Sequence, residues 1–175
     1  YQNTGNPLDL AIEGDGFFQV EVNGDFAYTR AGAFKLDNEG RVVTANGYAL
    51  QPEFIVPDDT QNIVVSENGR IVAMDKFGEE LAAADIPLFT FVNPPGLNSV
   101  GRNLYLPTEA SGEALEGVPG EENVGTIAQA FLELSNVDMV EEIVKLITGQ
   151  RAYEINSKAI QTADSMLQII NNMKR

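Results

Sequence analysis

The C-terminal segment, residues 135–175, constrains the fold more than any other stretch of the chain. It contains no proline and a single glycine, Gly149, and an apolar residue recurs at every seventh position. Residues seven apart lie on the same side of an α-helix, so the segment predicts one long helix with a broad apolar stripe. The first column of the stripe is Met139, Leu146, Tyr153, Ile160 and Leu167, and the second is Ala152, Ala159, Met166 and Met173.

The predicted helix begins near Ser135, which together with Asp138 forms a variant of the capping box. About 35 helical residues would span ~52 Å, longer than an ordinary globular helix. Gly149 costs about 1 kcal/mol relative to alanine in mid-helix, but it permits a close backbone approach. Two glutamate–lysine pairs four residues apart support the helix, Glu141–Lys145 and Glu154–Lys158.

The preceding residues have a different pattern, in which short β-rich runs are separated by turns. Three Asn-Gly pairs stand between such runs, at Asn23-Gly24, Asn46-Gly47 and Asn68-Gly69. This pattern predicts a hairpin-rich antiparallel β domain over residues 1–120. Residues 107–125 are rich in glycine, glutamate and proline and indicate a linker or loop, and residues 125–134 are ambiguous. We therefore expect a linker or extended arm at 121–134 and a helix at 135–175.

The charge of the chain argues against two classes of partner. The net charge is −15, and residues 126–175 carry only six acidic against five basic side chains, so the β-rich part holds nearly all of the excess. An acidic body disfavours nucleic acid and anionic membrane surfaces. No apolar run approaches the ~20 residues of a membrane span, so membrane insertion is not expected. The nearly neutral helix is suited to approach other helices.

No constellation of catalytic residues is apparent. The chain has no cysteine, no histidine and no tryptophan, which removes thiolate sites and the commonest general base. Acidic pairs such as Asp58-Asp59 are sequence neighbours and point in different directions. Asp15 lies between two glycines, without the ligand spacing of a calcium loop. We therefore predict no catalytic residue, no metal site and no cofactor.

Periodicity alone leaves two interpretations of the helix open. It either folds back onto its own sheet or packs against other chains. The segment Gln150–Glu154 is distinctive, because Tyr153 lies in the apolar column and Arg151 is placed to pair with Glu154. The length and the low net charge of the helix favour packing against other chains.

Several motifs, in order along nearly the whole chain, resemble those of the bacterial flagellar rod and hook proteins. The C-terminal motifs are Leu132–Asp138, Gln150–Lys158 and Ala163–Leu167, and the motifs of the β-rich part are Thr4–Val20, Ala27–Arg30, Asn93–Leu97 and Gly101–Tyr105. The family has a long N-terminal helical segment ahead of the Thr4–Pro7 motif. That segment is absent from this sequence, so we expect it to precede Tyr1 in the natural protein.

The resemblance implies a non-enzymatic subunit of the flagellar basal-body rod, in its distal part by the closeness of the motifs. Such subunits leave the cell through the flagellar type III export apparatus and polymerise into a hollow shaft that crosses the periplasm and transmits torque to the hook. The implied partners are further copies of the chain, other rod proteins, the hook and the surrounding basal-body rings. The terminal helices would form the inner tube and residues 1–120 the outer wall.

Two alternatives remain at this point. One is a proximal rod or hook subunit of the same family, and the other is a β-rich surface-binding module on a helical stalk, which the low aromatic content disfavours. If the rod interpretation holds, we expect the assembly interface to consist of Asn136, Val137, Met139, Leu146, Gln150, Arg151, Tyr153, Glu154, Asn156, Ile160 and Leu167.

Overall fold

A computed structural model describes residues 1–121, 124–137 and 139–173 of the chain. It divides into two compact units, Tyr1–Leu134 and Ser135–Arg175. The first unit is built from antiparallel strands, and the described part of the second contains one helix, α1 (Met139–Met173). This confirms the predicted fold class, which is mainly β with a long C-terminal α-helix.

The first unit contains sixteen strands within its described residues and a short 3₁₀ turn (Pro94–Gly96). The strands are β1 (Gln2–Asn3), β2 (Leu10–Glu13), β3 (Phe18–Val22), β4 (Asp25–Thr29), β5 (Phe34–Leu36), β6 (Val42–Thr44), β7 (Ala49–Gln51), β8 (Asn62–Val65), β9 (Arg70–Met74), β10 (Glu80–Asp85), β11 (Leu88–Thr90), β12 (Asn98–Gly101), β13 (Leu104–Leu106), β14 (Leu115–Gly117), β15 (Thr126–Gln129) and β16 (Phe131–Leu132).

A seven-stranded sheet with the order β12-β13-β4-β3-β7-β6-β5 forms one side of the core. The strand residues alternate between buried and less buried positions, as in β3, where Phe18 and Val20 are fully buried. The ring of Phe18 meets that of Phe34 edge to face, with centroids 5.3 Å apart. The same cluster takes in buried side chains of the sheet β10-β9-β8 and of the pair β15-β2, including Ile71, Ala73, Ile12 and Ile127.

Four hairpins close through the same three-residue loop. In each, a glycine with positive φ ends the loop and donates its N–H to the carbonyl of the residue before the loop, at 2.9–3.2 Å. This is a type I turn followed by a glycine bulge, and its glycines are Gly40, Gly47, Gly69 and Gly78. Asn23-Gly24 forms a two-residue turn with φ > 0 at both positions, as does Arg102-Asn103 between β12 and β13. The Asn-Gly pairs therefore do mark hairpins, but two of the three use the longer loop.

The described residues between 107 and 134 are more ordered than the composition of the segment indicates. β14 pairs with β11, and Ser111 is fully buried and hydrogen-bonded to the backbone at Thr108 and Gly112. β15 pairs with β2 over four residues. The ambiguous stretch after residue 125 therefore forms strands. This arrangement buries the side chain of Ile127 in the core, whereas an extended arm would leave it in solvent.

The side chain of Gln129 acts as an additional strand residue beside β8. Its Nε2 donates to the carbonyl of Ile63 at 2.8 Å, and its Oε1 accepts from the N–H of Val65 at 3.2 Å. The amide therefore satisfies two backbone groups of an edge strand. This links the end of the first unit to the β8–β9 hairpin.

Candidate assembly surface

α1 is a continuous helix of 35 residues, which corresponds to a length of ~52 Å. It begins at Met139, later than the predicted start at Ser135. Ser135 accepts a hydrogen bond from the N–H of Val137 at 3.2 Å, which holds the chain in a turn rather than a helix. The proposed capping partner Asp138 lies outside the described residues, as do Lys174 and Arg175.

The polar side chains of α1 are partly satisfied within the helix. Lys145 contacts Glu142 at 2.8 Å and Glu141 at 3.1 Å, and these hydrogen bonds raise the pKa of Lys145. The hydroxyl groups of Thr148 and Thr162 donate to the carbonyls four residues earlier, at 2.8 Å. The predicted Glu141–Lys145 pair is therefore present, whereas the structure records no ion pair between the described residues Glu154 and Lys158.

The large apolar side chains of α1 are exposed to solvent. Tyr153 is 76% exposed and Ile160 63%, and the same holds for Met139, Leu146 and Leu167. Around Gly149 the space is also open, since a Cβ added there would have no neighbour within 4 Å. A row of large apolar side chains on a helix is expected to be covered in the functional state, because each would contribute roughly 1.5–3 kcal/mol when buried.

The apolar residues of α1 form two faces on nearly opposite sides of the helix. Each residue advances by about 100°, so Ile143 and Ala163 lie about 160° apart. The N-terminal apolar face comprises Met139, Val140, Ile143, Val144 and Ile147, and the C-terminal apolar face comprises Ala152, Ala159, Ile160, Ala163, Met166 and Leu167. The single broad stripe expected from the sequence is therefore wrong. The column from Met139 to Leu167 turns by about 80°, so it begins on the N-terminal apolar face and ends on the C-terminal apolar face, with Leu146 and Tyr153 near the border between them.

The predicted interface residues do not share one surface. Tyr153, Ile160 and Leu167 lie together, and Asn156 lies beside them on the same side of the helix. Arg151 precedes Tyr153 by two residues and is therefore about 160° away around the helix. Glu154 also lies on the polar side of this half, and Arg151 and Glu154 make no ion pair among the described contacts. Gln150 is on the side of Leu146, where the two faces meet.

Asn136 and Val137 precede the helix, and both are exposed. They belong to the short segment between the last strand and Met139. Their backbone is extended or bent rather than helical, so they do not continue either apolar face of α1. They remain predicted interface residues on the basis of the motif alone.

Arg30, which no chemical argument from the sequence had singled out, holds the end of the β unit together. Its guanidinium donates to the carbonyl oxygens of Ile12 (3.1 Å), Gly14 (2.7 Å) and Gly16 (3.1 Å), and its Nε lies 2.6 Å from Glu133 Oε2. A planar group with five N–H donors can serve several acceptors at once, which lysine cannot do. The feature of the sequence that could have pointed to Arg30 is that it is one of the few basic residues in the acidic β-rich part of the chain, within the motif Ala27–Arg30.

The described residues contain no cluster of three histidine, cysteine, aspartate or glutamate side chains that could hold a metal ion. Among these residues there is also no helix that combines the length and the apolar content of a membrane span. The most extensive chemical feature of the described chain is therefore the exposed apolar surface of α1.

Comparison with known proteins connects this surface with a family. Residues 11–73 match the family model of the flagellar hook protein FlgE/F/G D1 domain, and residues 128–173 match that of the flagellar basal body rod FlgEFG protein C-terminal region. The chain is 45% identical to the flagellar basal-body rod protein FlgG of Borreliella burgdorferi over 99% of its length, and 44% identical to FlgG of Caulobacter vibrioides over 98%.

FlgG of Bacillus subtilis is 40% identical over 99% of the chain, and the flagellar hook-basal body complex protein FlhP of the same organism is 35% identical. The chain spans about two thirds of the length of these curated relatives, with 67% of the Borreliella, 66% of the Caulobacter and 68% of the Bacillus FlgG covered. Matches at both ends of the chain and identities of 40% or more lead to one conclusion. The chain belongs to the family of flagellar basal-body rod proteins.

Proposed function

We propose that this chain is part of a structural subunit of the bacterial flagellar rod, in its distal segment, and that the subunit polymerises into a hollow drive shaft. The observation that carries the proposal is the 35-residue helix α1 with exposed apolar side chains on two sides. Its relatives are named as basal-body rod proteins. The family is structural, and catalysis has no part in the proposal.

The two apolar faces of α1 are well suited to a tube made of helices. A helix with one apolar face packs against one neighbour, whereas a helix with two opposed faces packs between two. The small residues Ala152, Ala159 and Ala163 allow a close approach of the neighbouring backbone on the C-terminal apolar face. Repetition of such contacts along a polymer gives many weak interactions that together resist torque.

Within this surface we assign the central contacts to Tyr153, Ile160 and Leu167, with Leu146 near the border between the faces and Met139 on the N-terminal apolar face. The polar residues Gln150, Arg151, Glu154 and Asn156 would fix the register against neighbouring helices. Asn136 and Val137 would contact a neighbour at the entry to the helix. The partners in this scheme are further copies of the chain, other rod proteins, the hook and the surrounding rings.

A subunit with this function lies in the flagellar basal body. We further propose export by the flagellar type III apparatus and a final position between the periplasm and the outer membrane. We favour the distal rod over the proximal rod and the hook, because the relatives with 40–45% identity are named FlgG.

Deletion of the gene, with the full-length gene returned on a plasmid, tests the proposal. Cells without the gene are expected not to swim and to lack complete rods and hooks in electron micrographs of purified basal bodies. Complementation should restore both. Normal swimming by the deletion strain would overturn the proposal.

A further inference from the structure

The hairpin between β9 and β10 carries an exposed phenylalanine on a well-braced tip. Phe77 is 78% exposed. The carboxylate of Asp75 accepts hydrogen bonds from the N–H groups of Phe77 (2.7 Å) and Glu79 (2.9 Å), which fixes the loop. The ammonium group of Lys76 lies 4.9 Å from the centroid of the Phe77 ring. A preformed tip loses little conformational entropy when its side chain becomes buried in a partner.

A groove of about 410 Å³ lies elsewhere on the same unit. Its walls include the aromatic rings of Phe17 and Phe91, whose centroids are 5.7 Å apart, and the side chain of Val92, which is 82% exposed. Pro94 and Asp15 also line it. The groove is large enough for one aromatic side chain, and it offers that side chain aromatic and aliphatic neighbours.

One charge beside the tip and one beside the groove are opposite in sign. Lys76 at the tip and Asp15 at the groove make no ion pair in the part of the chain that the structure describes. Arg30 in the groove contacts Glu133, and Glu80 beside the tip contacts Arg70. The carboxylate of Asp75 accepts two N–H groups of the loop, and Glu79 makes no ion pair among the described contacts. A lysine next to the exposed ring and an aspartate next to the aromatic groove would therefore attract each other.

Phe77 is 78% exposed and does not line the groove, so the tip and the groove of one molecule do not meet. The tip precedes β10, and the chain reaches the groove only after the other end of that strand, through Asp85 and β11. Six residues of strand span about 20 Å. A contact between the two surfaces must therefore join separate molecules. If the contact is not reciprocated, it is heterologous, and it propagates as an open helical filament when the rotation between copies does not close a ring.

We propose that Phe77 of one copy of this chain inserts into the groove of Phe17, Phe91, Val92 and Pro94 on a second copy, with Lys76 paired to Asp15. The inference adds a contact between β units to the helical contacts described above. It rests on the proposed function, because a polymer of this subunit is what brings the two surfaces together repeatedly.

Cysteine cross-linking in cells that express the full-length protein tests this contact, since the sequence itself contains no cysteine. The test variant combines Asp15→Cys with Lys76→Cys, and the matched control combines Asp15→Cys with Lys35→Cys, another exposed lysine of the β unit. After treatment with a short bismaleimide, the test variant is expected to form a ladder of dimers and higher oligomers. Each single-cysteine variant and the control should remain monomeric on denaturing gels.

A charge exchange gives a second readout. Lys76→Asp is expected to lower the yield of assembled rods roughly fivefold, because the exposed ion pair with Asp15 is replaced by two carboxylates that repel each other. The double variant Lys76→Asp with Asp15→Lys should restore it. Equal cross-linking of the test and control pairs, or no restoration in the double variant, would overturn the proposed contact. Rods and swimming would then persist in the cysteine variants, which distinguishes this failure from a failure of the proposed function.

Discussion

Arg30 Nε lies 2.6 Å from Glu133 Oε2, and this contact connects the residue that follows β4 with the last residues of the β unit. The same guanidinium contacts three backbone carbonyls between Ile12 and Gly16. Arg30 thus fixes the β2–β3 turn and the chain beyond β16 relative to each other. The ion pair is partly exposed to solvent. We therefore expect Arg30 to stabilise the fold mainly through the number of hydrogen bonds it donates, and less through the charge interaction with Glu133.

Replacement of Arg30 by alanine is expected to lower the free energy of unfolding of the β unit by about 2 kcal/mol, because three carbonyls lose a charged donor. Arg30→Lys should recover only a small part of this loss, since an ammonium group cannot reach all the acceptors. Glu133→Gln should lower the free energy of unfolding by less than about 1 kcal/mol. Urea denaturation followed by tyrosine fluorescence measures all three, and equal losses for Arg30→Ala and Glu133→Gln would contradict this ranking.

Gly32 is a position at which any side chain should be destabilising. A Cβ built there would lie 1.7 Å from the carbonyl oxygen of Leu10, whose N–H in turn donates to the carbonyl of Gly32 at 2.9 Å. Gly32→Ala is expected to lower the free energy of unfolding by ~3 kcal/mol or more, because β2 must move. Thermal unfolding by calorimetry is the measurement, and an unchanged melting temperature would show that the strand can shift freely.

Gly149→Ala should have the opposite effect on the helix. Nothing lies within 4 Å of a Cβ at this position, and glycine costs about 1 kcal/mol relative to alanine inside a helix. The variant is expected to raise the helical signal in far-ultraviolet circular dichroism and to protect residues around 149 from hydrogen exchange. A decrease in helicity would indicate that α1 bends at this glycine.

The turn at Asp37 gives a prediction about pH. The backbone N–H of Arg41 donates to the carboxylate of Asp37 at 2.9 Å and the guanidinium at 2.8 Å, and these contacts lower the pKa of Asp37 below its ordinary 3.8. A lowered pKa stabilises the fold at pH values above 3.8, and that stabilisation is lost as the pH falls through the folded-state pKa.

Asp37→Asn is therefore expected to reduce the melting temperature at pH 7 and to have a progressively smaller effect below pH 3.8. Asp58→Asn, an exposed aspartate in another loop, serves as the matched control and should show little effect at either pH. If the difference between Asp37→Asn and the unmodified chain were the same at both pH values, the carboxylate charge would not be what stabilises the turn.

Local signals in the sequence were sufficient for the fold class and for the long helix. Asn-Gly pairs and alternating apolar residues identified the hairpins, because a positive φ and a period of two are local properties. The pairing of β15 with β2 was not predictable in this way, since these strands are more than a hundred residues apart in sequence. The hydrogen bonds of Gln129 to β8 are equally non-local.

For the candidate surface, the seven-residue spacing placed Tyr153 and Ile160 on one helix, and the structure shows both side chains exposed. The spacing did not show that Ile143 lies on the other side, because a repeat of seven in a helix of 3.6 residues per turn drifts by about 20° per heptad. Phe77 and Arg30 were missed for a different reason. Whether a side chain is exposed, and whether several backbone carbonyl groups lie close to it, depends on the folded structure.

In the proposed rod, the C-terminal apolar face of α1 is buried between subunits. Ile160→Glu places a charge on that face, and Gln161→Glu places the same charge on the adjacent polar side. Both side chains are exposed in the chain itself, so neither change should alter the folding of the subunit. The burial of an unpaired carboxylate in an assembly costs several kcal/mol.

The decisive measurement is a count of complete rods in electron micrographs of basal bodies from cells that express each full-length variant in place of the original gene. Ile160→Glu is expected to reduce that number by about tenfold or more, and Gln161→Glu should leave it near the unmodified level. Equal numbers of complete rods in the two strains would contradict the burial of this face.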